Sequence, residues 1–150
     1  MISKQELRKI EKLYNIKIYS RNLKCCRGYA NTWNGFIVIS YNLNKTRKDY
    51  LETIFHELGH LYCYKHKIYP DYHLSIRKTK PTLKEFRGKI KWALRAERYV
   101  DNWAEKELKQ YDARFKYHKT YYESDAKSFL IDYFTKVYSK WIPLNKLILN

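Results

Sequence analysis

The fold class this sequence predicts is α+β, and three observations predict it. Helical periodicity opens the chain, short strand-like runs gather around Asn34-Gly35, and long stretches with helix-start signals follow. Ser3 with Glu6 makes a capping box ahead of Leu7, Ile10, Leu13 and Tyr14, so residues 3–14 are expected as a helix. Residues 16–19 alternate as a short strand. Residues 29–33 and 36–40 are expected as hairpin arms, because Asn34-Gly35 suits a type I′ turn, in which both central residues need positive φ. These strands make a small antiparallel sheet. Thr46 with Asp49 opens a long helix over residues 47–65. Pro70 and Pro81 bracket a polar loop. Thr82 with Glu85 opens a helix reaching Tyr111, with Gly88 as a weak point inside it. Phe129, Leu130, Tyr133, Phe134, Val137, Tyr138 and Trp141 form the apolar face of a last helix, residues 125–141, stopped by Pro143.

The 150 residues are expected to form a single domain. With 45% hydrophobic and 17% aromatic residues there is material for a core, which excludes global disorder despite a mean hydropathy of −0.73. No run approaches the roughly 18 uncharged apolar residues of a membrane span, and the opening residues do not read as a signal peptide. Membranes are therefore not expected as partners. The net charge of +16 would attract nucleic acid or an acidic protein, although a Lys-rich composition with many Tyr, Asn and Ile residues also fits AT-rich coding. Cys25, Cys26 and Cys63 are odd in number and form no C-x-x-C pair, as expected of a reduced, cytoplasmic protein.

Residues 56–60 read His56-Glu57-Leu58-Gly59-His60, the pattern H-E-x-x-H. Four residues of α-helix turn through about 400° and rise about 6 Å, so both imidazoles point the same way from successive turns and can share one tetrahedral Zn²⁺. Glu57 lies about 100° round from His56, beside the metal, where it can act as general base toward water that the metal has acidified. Leu51, Ile54, Phe55, Leu58 and Tyr62 form an apolar stripe, with Asp49, Thr53, His56 and His60 opposite. That division predicts a helix packed on one side and lining a cleft with the other.

A catalytic zinc needs a third protein ligand. On the helix from residue 82, Phe86, Ile90, Ala93, Glu97, Ala104 and Leu108 share a face, with Asp101 at its edge. Glu97 thus sits in a stripe destined for burial, where an unpaired carboxylate costs several kcal/mol and a metal would remove that cost. Asp101, one turn on, is placed to hold the outer nitrogen of a ligating histidine. A buried ion pair of Glu97 with Arg95 or Arg98 is the ordinary alternative. His66 is the rival ligand, but it requires the helix to end near Cys63 in a residue of positive φ, a conformation that costs a non-glycine residue about 1–2 kcal/mol. Asp71 and His73 are further candidates. Tyr117, His118, Tyr121 and Tyr122 could supply the donor that stabilises an oxyanion.

The segments TIFHELGH (53–60) and AERYVDNWAEKEL (96–108) resemble zincin metallopeptidases, in particular small phage and prophage proteins of the ImmA/IrrE-like and SprT-like groups. Glu97-x-x-x-Asp101 is similar to the gluzincin pattern, which implies that Glu97 binds zinc and Asp101 supports a histidine. The run GYANTWNGFIVIS (28–40) looks like the hairpin ahead of the motif in those groups. The resemblance implies a zincin-like fold, peptidase activity on a protein or peptide, and an edge strand, 36–40, that pairs with the substrate. Lys84, Arg87, Lys91, Arg95 and Arg98 align on one face, as a solvated surface or a phosphate-binding one. The alternative function is a non-enzymatic nucleic-acid-binding, regulatory or host-interaction protein.

Overall fold

The computed structural model describes residues 1–24, 26–68 and 82–118. The expected loop 69–81, the last helix 125–141, and Cys25, Asp71, His73, Tyr121 and Tyr122 lie outside the described residues, as do the side chains of Phe86 and Ile90. The elements are α1 (Lys4–Tyr14), β1 (Lys17–Arg21), β2 (Gly28–Asn31), β3 (Phe36–Ser40), α2 (Arg47–Lys65) and α3 (Leu83–Tyr111), an α+β arrangement. The chain clusters into two compact units, Met1–Ile68 with Val100–His118, and Tyr69–Tyr99 with Lys119–Asn150. The division falls within α3.

Local chemistry sets each helix start. The Ser3 hydroxyl accepts from the Glu6 amide at 3.1 Å. At α2, the Asp49 amide donates to the Thr46 hydroxyl at 3.1 Å and the Thr46 amide donates back to the Asp49 carboxylate at 2.9 Å, a complete capping box. Thr82 and Glu85 repeat that exchange at 2.8 and 3.1 Å. Helix α1 stops at Asn15, which adopts the left-handed conformation with φ 51°.

The sheet departs from expectation. Its order is β1-β3-β2; β2 pairs with β3 antiparallel, while β1 pairs with β3 parallel, Ile18 opposite Ile37. The sheet is mixed, not antiparallel, and β3 is its centre, not an edge open to a substrate strand. The physical reason lies in Phe36-Ile37-Val38-Ile39, a continuous apolar run in which residues 37–40 are all buried. Such a run needs cover on both faces and a partner on both sides, so it takes the middle. The hairpin turn also differs. Only Gly35 has positive φ, at 65°, and four residues, 32–35, connect the register pair Asn31 and Phe36. The Asn31 side chain accepts from the Asn34 amide at 2.9 Å and its carbonyl accepts from Gly35, which closes the wider turn and leaves Trp33 exposed.

In the first unit, α2 packs on β2 and β3. Ile10, Ile37, Ile39, Leu51, Ile54, Phe55, Leu58, Ala104 and Leu108 share one core, and the Phe55 ring meets Tyr14 edge-on with centroids 5.7 Å apart. Arg47 ties the helices together outside that core, reaching Glu6 at 2.7 Å and Asp112 at 3.2 Å. Hydrogen bonding to Glu6, first, and to Asp112 raises the affinity of this guanidinium for its proton.

Candidate metal centre

Every residue of α2 from Tyr50 to Gly59 is buried. The expected division into a packed face and a cleft face is therefore absent there: Thr53, His56 and Glu57 are enclosed along with Leu51, Ile54 and Phe55. Enclosure follows from neighbours on several sides, and two glycines make their approach possible. A Cβ on Gly28 of β2 would lie 2.7 Å from Thr53 Cγ2, 2.9 Å from the Val38 carbonyl oxygen and 3.5 Å from Glu57 Cγ. A Cβ on Gly59 would lie 2.9 Å from Val100 Cγ1 and 3.2 Å from the Val100 carbonyl oxygen. The shortest approach at each glycine falls below ordinary contact, so β2 and the α3 backbone come as near to α2 as they do only because no side chain intervenes. A glycine inside a helix costs about 1 kcal/mol against alanine, a signal of close packing that the sequence offered at Gly59.

The enclosed polar groups are paired. Thr53 donates to Asn44 Oδ1 at 2.7 Å, and Asn44 Nδ2 donates to the carbonyls of Arg27 and Ser40, both at 2.8 Å. Glu52, one turn before His56, accepts from the His118 amide at 3.2 Å; His118 Nδ1 lies 3.2 Å and Lys48 Nζ 3.9 Å from the same oxygen. Burial pushes the Glu52 carboxyl above its usual range, while Lys48 and His118 pull it back in part.

His56, His60 and Glu97 form the group that could hold a metal ion, with ligand atoms all within 4.8 Å of one another. His56 and Glu97 are buried and His60 is half-buried. The two Nε2 atoms are 3.2 Å apart. Two nitrogens held at about 2.0–2.1 Å from one tetrahedral ion would be separated by about 3.3 Å, so the imidazoles stand at the spacing of two ligands on one ion. Asp101 Oδ1 lies 2.9 Å from His56 Nδ1. A carboxylate only accepts, so Nδ1 carries the proton and Nε2 keeps its lone pair for a metal. Tyr117 donates to the same Asp101 oxygen at 2.8 Å.

Among the described residues, the other expected candidates lie elsewhere. Helix α2 runs on past Cys63 to Lys65, and the residue of positive φ is Lys67, at 55°. Backbone bonds from Ile68 to Cys63 and from Lys67 to Tyr64 close the helix around it. The reversal thus comes four positions beyond the point from which His66 could fold back. The His66 ring instead packs on Tyr62, centroids 4.3 Å apart. Tyr117 and His118, read from sequence as oxyanion donors, are engaged with Asp101 and Glu52. The roles of Asn44, Glu52 and Gly28 were not legible in the chain, since each depends on a partner at least nine residues away. No known protein family, curated protein or solved structure matches the chain, so the convergence of His56, His60 and Glu97 is itself the ground for a functional reading.

Proposed function

We propose that the protein is a zinc-dependent metallopeptidase with a zincin-like site, in which His56, His60 and Glu97 hold the metal. The observation that carries this reading is a donor set of two imidazole nitrogens and one carboxylate in a single group, on an H-E-x-x-H helix. Two histidines and a glutamate are a known catalytic zinc set, one that leaves a coordination position open. Zinc bound there would supply Lewis acidity, making water nucleophilic at neutral pH and polarising a peptide carbonyl.

The chain's own residues do the rest. Asp101 keeps the His56 proton on Nδ1 and so fixes the tautomer and ring orientation, while Tyr117 fixes Asp101. Glu57 is the general base. Its carboxylate takes a proton from the attacking water and then delivers it to the leaving amine. The burial of Glu57 excludes competing solvent around that transfer. Purified protein should contain about one zinc per chain. His60→Ala should lose it, and retention of zinc in that variant would overturn the reading. Glu57→Gln should keep the metal and lose cleavage of a peptide substrate.

A further inference from the structure

We propose that Glu52 is a positioning residue for the metal group, acting from a distance through the chain segment that follows α3; this rests on the metal reading above. Glu52 is 3% exposed, on the enclosed stretch of α2, one turn before His56. A carboxylate taken out of water there is costly unless donors meet it. His118 supplies them: its amide and its ring Nδ1 both lie 3.2 Å from the same Glu52 oxygen. On the other side of that ring, Lys48 Nζ stands 3.2 Å from Nε2. An ammonium only donates, so Nε2 accepts there and Nδ1 carries the ring's proton. Glu52 thus receives both the ring and the backbone of one residue.

That double hold fixes the backbone at residue 118, and the residue before it is Tyr117. The Tyr117 hydroxyl donates to Asp101 Oδ1 at 2.8 Å, the oxygen that also takes the His56 Nδ1 proton at 2.9 Å. Neighbouring residues of one segment therefore close on two buried carboxylates, Glu52 of α2 and Asp101 of α3. All of these residues belong to one compact unit.

The path to them is set as well. The Asp112 amide donates to the Leu108 carbonyl and the Phe115 amide to that of Asp112, which ends α3 and turns the chain. Asp112 meets the Arg47 guanidinium at 3.2 Å, and Phe115 packs on the core. Asp101 lies ten residues before Tyr111, about 15 Å back along α3, a distance that six residues of returning chain can span. The segment is a strap pinned at Asp112, Phe115 and His118, and Tyr117 is where it reaches the support of the metal group. The last pin is one residue from Tyr117, so it limits how far that hydroxyl can drift from Asp101. Through Asp101, Glu52 then bears on the orientation of the His56 ring.

The test is zinc affinity, by competition with a chromophoric chelator, and the visible spectrum of the Co²⁺-loaded protein, which reports ligand geometry without turnover. Tyr117→Phe should weaken zinc about tenfold and shift the Co²⁺ bands, as loss of an outer partner does. Glu52→Ala should do the same, although Glu52 bonds none of the three ligands. The double variant should lose about tenfold rather than about a hundredfold, because both changes cut one chain of contacts. Glu52→Gln, which keeps an oxygen for the His118 amide, should recover most of the loss. Circular dichroism checks the fold of each variant. His118→Ala, at a side chain 60% exposed, serves if Glu52→Ala fails to fold: it should weaken zinc in the parent background and not in Tyr117→Phe. Parent-like zinc affinity and Co²⁺ spectrum in folded Glu52→Ala or in His118→Ala, or losses that multiply in the double variant, overturn the proposal while the metal reading stands. A parent that takes up no zinc overturns both.

Discussion

Helix α2 and the exposed track of α3 dispose of their polar side chains in opposite ways. Between Tyr50 and Gly59, α2 is enclosed, and its Glu52, Thr53 and His56 each meet a named partner: His118, Asn44 and Asp101. Along α3, residues 84, 87, 91, 95 and 98 are exposed, while Ala93, Ala96, Glu97, Val100 and Asp101 are buried. The difference teaches where position is fixed. A buried polar group without a partner costs about 1–3 kcal/mol, so enclosure forces each one into a single geometry. An exposed charge is held by no such requirement. Chemistry that depends on tenths of an ångström belongs on the first kind of surface.

Breaking the enclosure of α2 should have the largest effect. Gly59→Val would drive methyl groups against the Val100 backbone, already 3.2 Å from a bare Cβ. It should cost about 3 kcal/mol in denaturant unfolding and, on the proposed reading, abolish metal uptake, because it pushes apart the two helices that carry the candidate ligands. Asn44→Ala tests the pairing rule without touching a ligand. It removes the side-chain bonds to the Thr53 hydroxyl and to the carbonyls of Arg27 and Ser40, which keep their backbone donors, and should cost about 1 kcal/mol, with metal stoichiometry retained.

Asp49 sharpens the comparison at the point where α2 emerges into solvent. Burial pushes its carboxyl up, but the Thr46 amide and hydroxyl, the Lys45 amide and Arg27 outweigh that and hold it below its ordinary value. A carboxyl lowered by folding contributes stability that is present above its unfolded value of 3.8 and lost as pH falls through the folded one. Asp49→Asn should therefore cost about 1 kcal/mol near neutral pH, and the gap to the parent should close in acid. Thermal melts from pH 7 to pH 2 would read this directly. The smallest effect is expected at Arg47, which is about half exposed although bonded to Glu6 and Asp112. Solvent screens such a pair, so Arg47→Ala should cost below about 1 kcal/mol, and less at high salt.

Helix boundaries were largely legible in the chain because capping is local. Ser3, Thr46 and Thr82 meet partners three residues on, and the expected span 47–65 is the span observed. The turn at Asn34-Gly35 was legible only as a turn, because the Asn31 side chain decided its length. Strand order was not legible. Alternation and turn residues report on a hairpin, but whether β1 joins beside β2 or β3 depends on which strand most needs cover. The candidate ligand histidines followed from the H-E-x-x-H motif and its helical period, Glu97 from an acid in an apolar stripe, and Asp101 from an acid at its edge. Their joining was beyond any local pattern, since His56 and Asp101 are 45 residues apart.

The sequence by itself determined where helices begin, which residues could hold a metal, and where the charge gathers, since each rests on spacing within one turn or on composition. The tertiary structure decided that β3 lies inside a mixed sheet and that α2 is enclosed rather than half exposed. It also decided that Asp101, itself bonded by Tyr117, meets His56, and that Glu52 meets His118. The physical reason is that burial is a property of neighbours, and residues far apart in the chain become neighbours only when the apolar surface they share is removed from water.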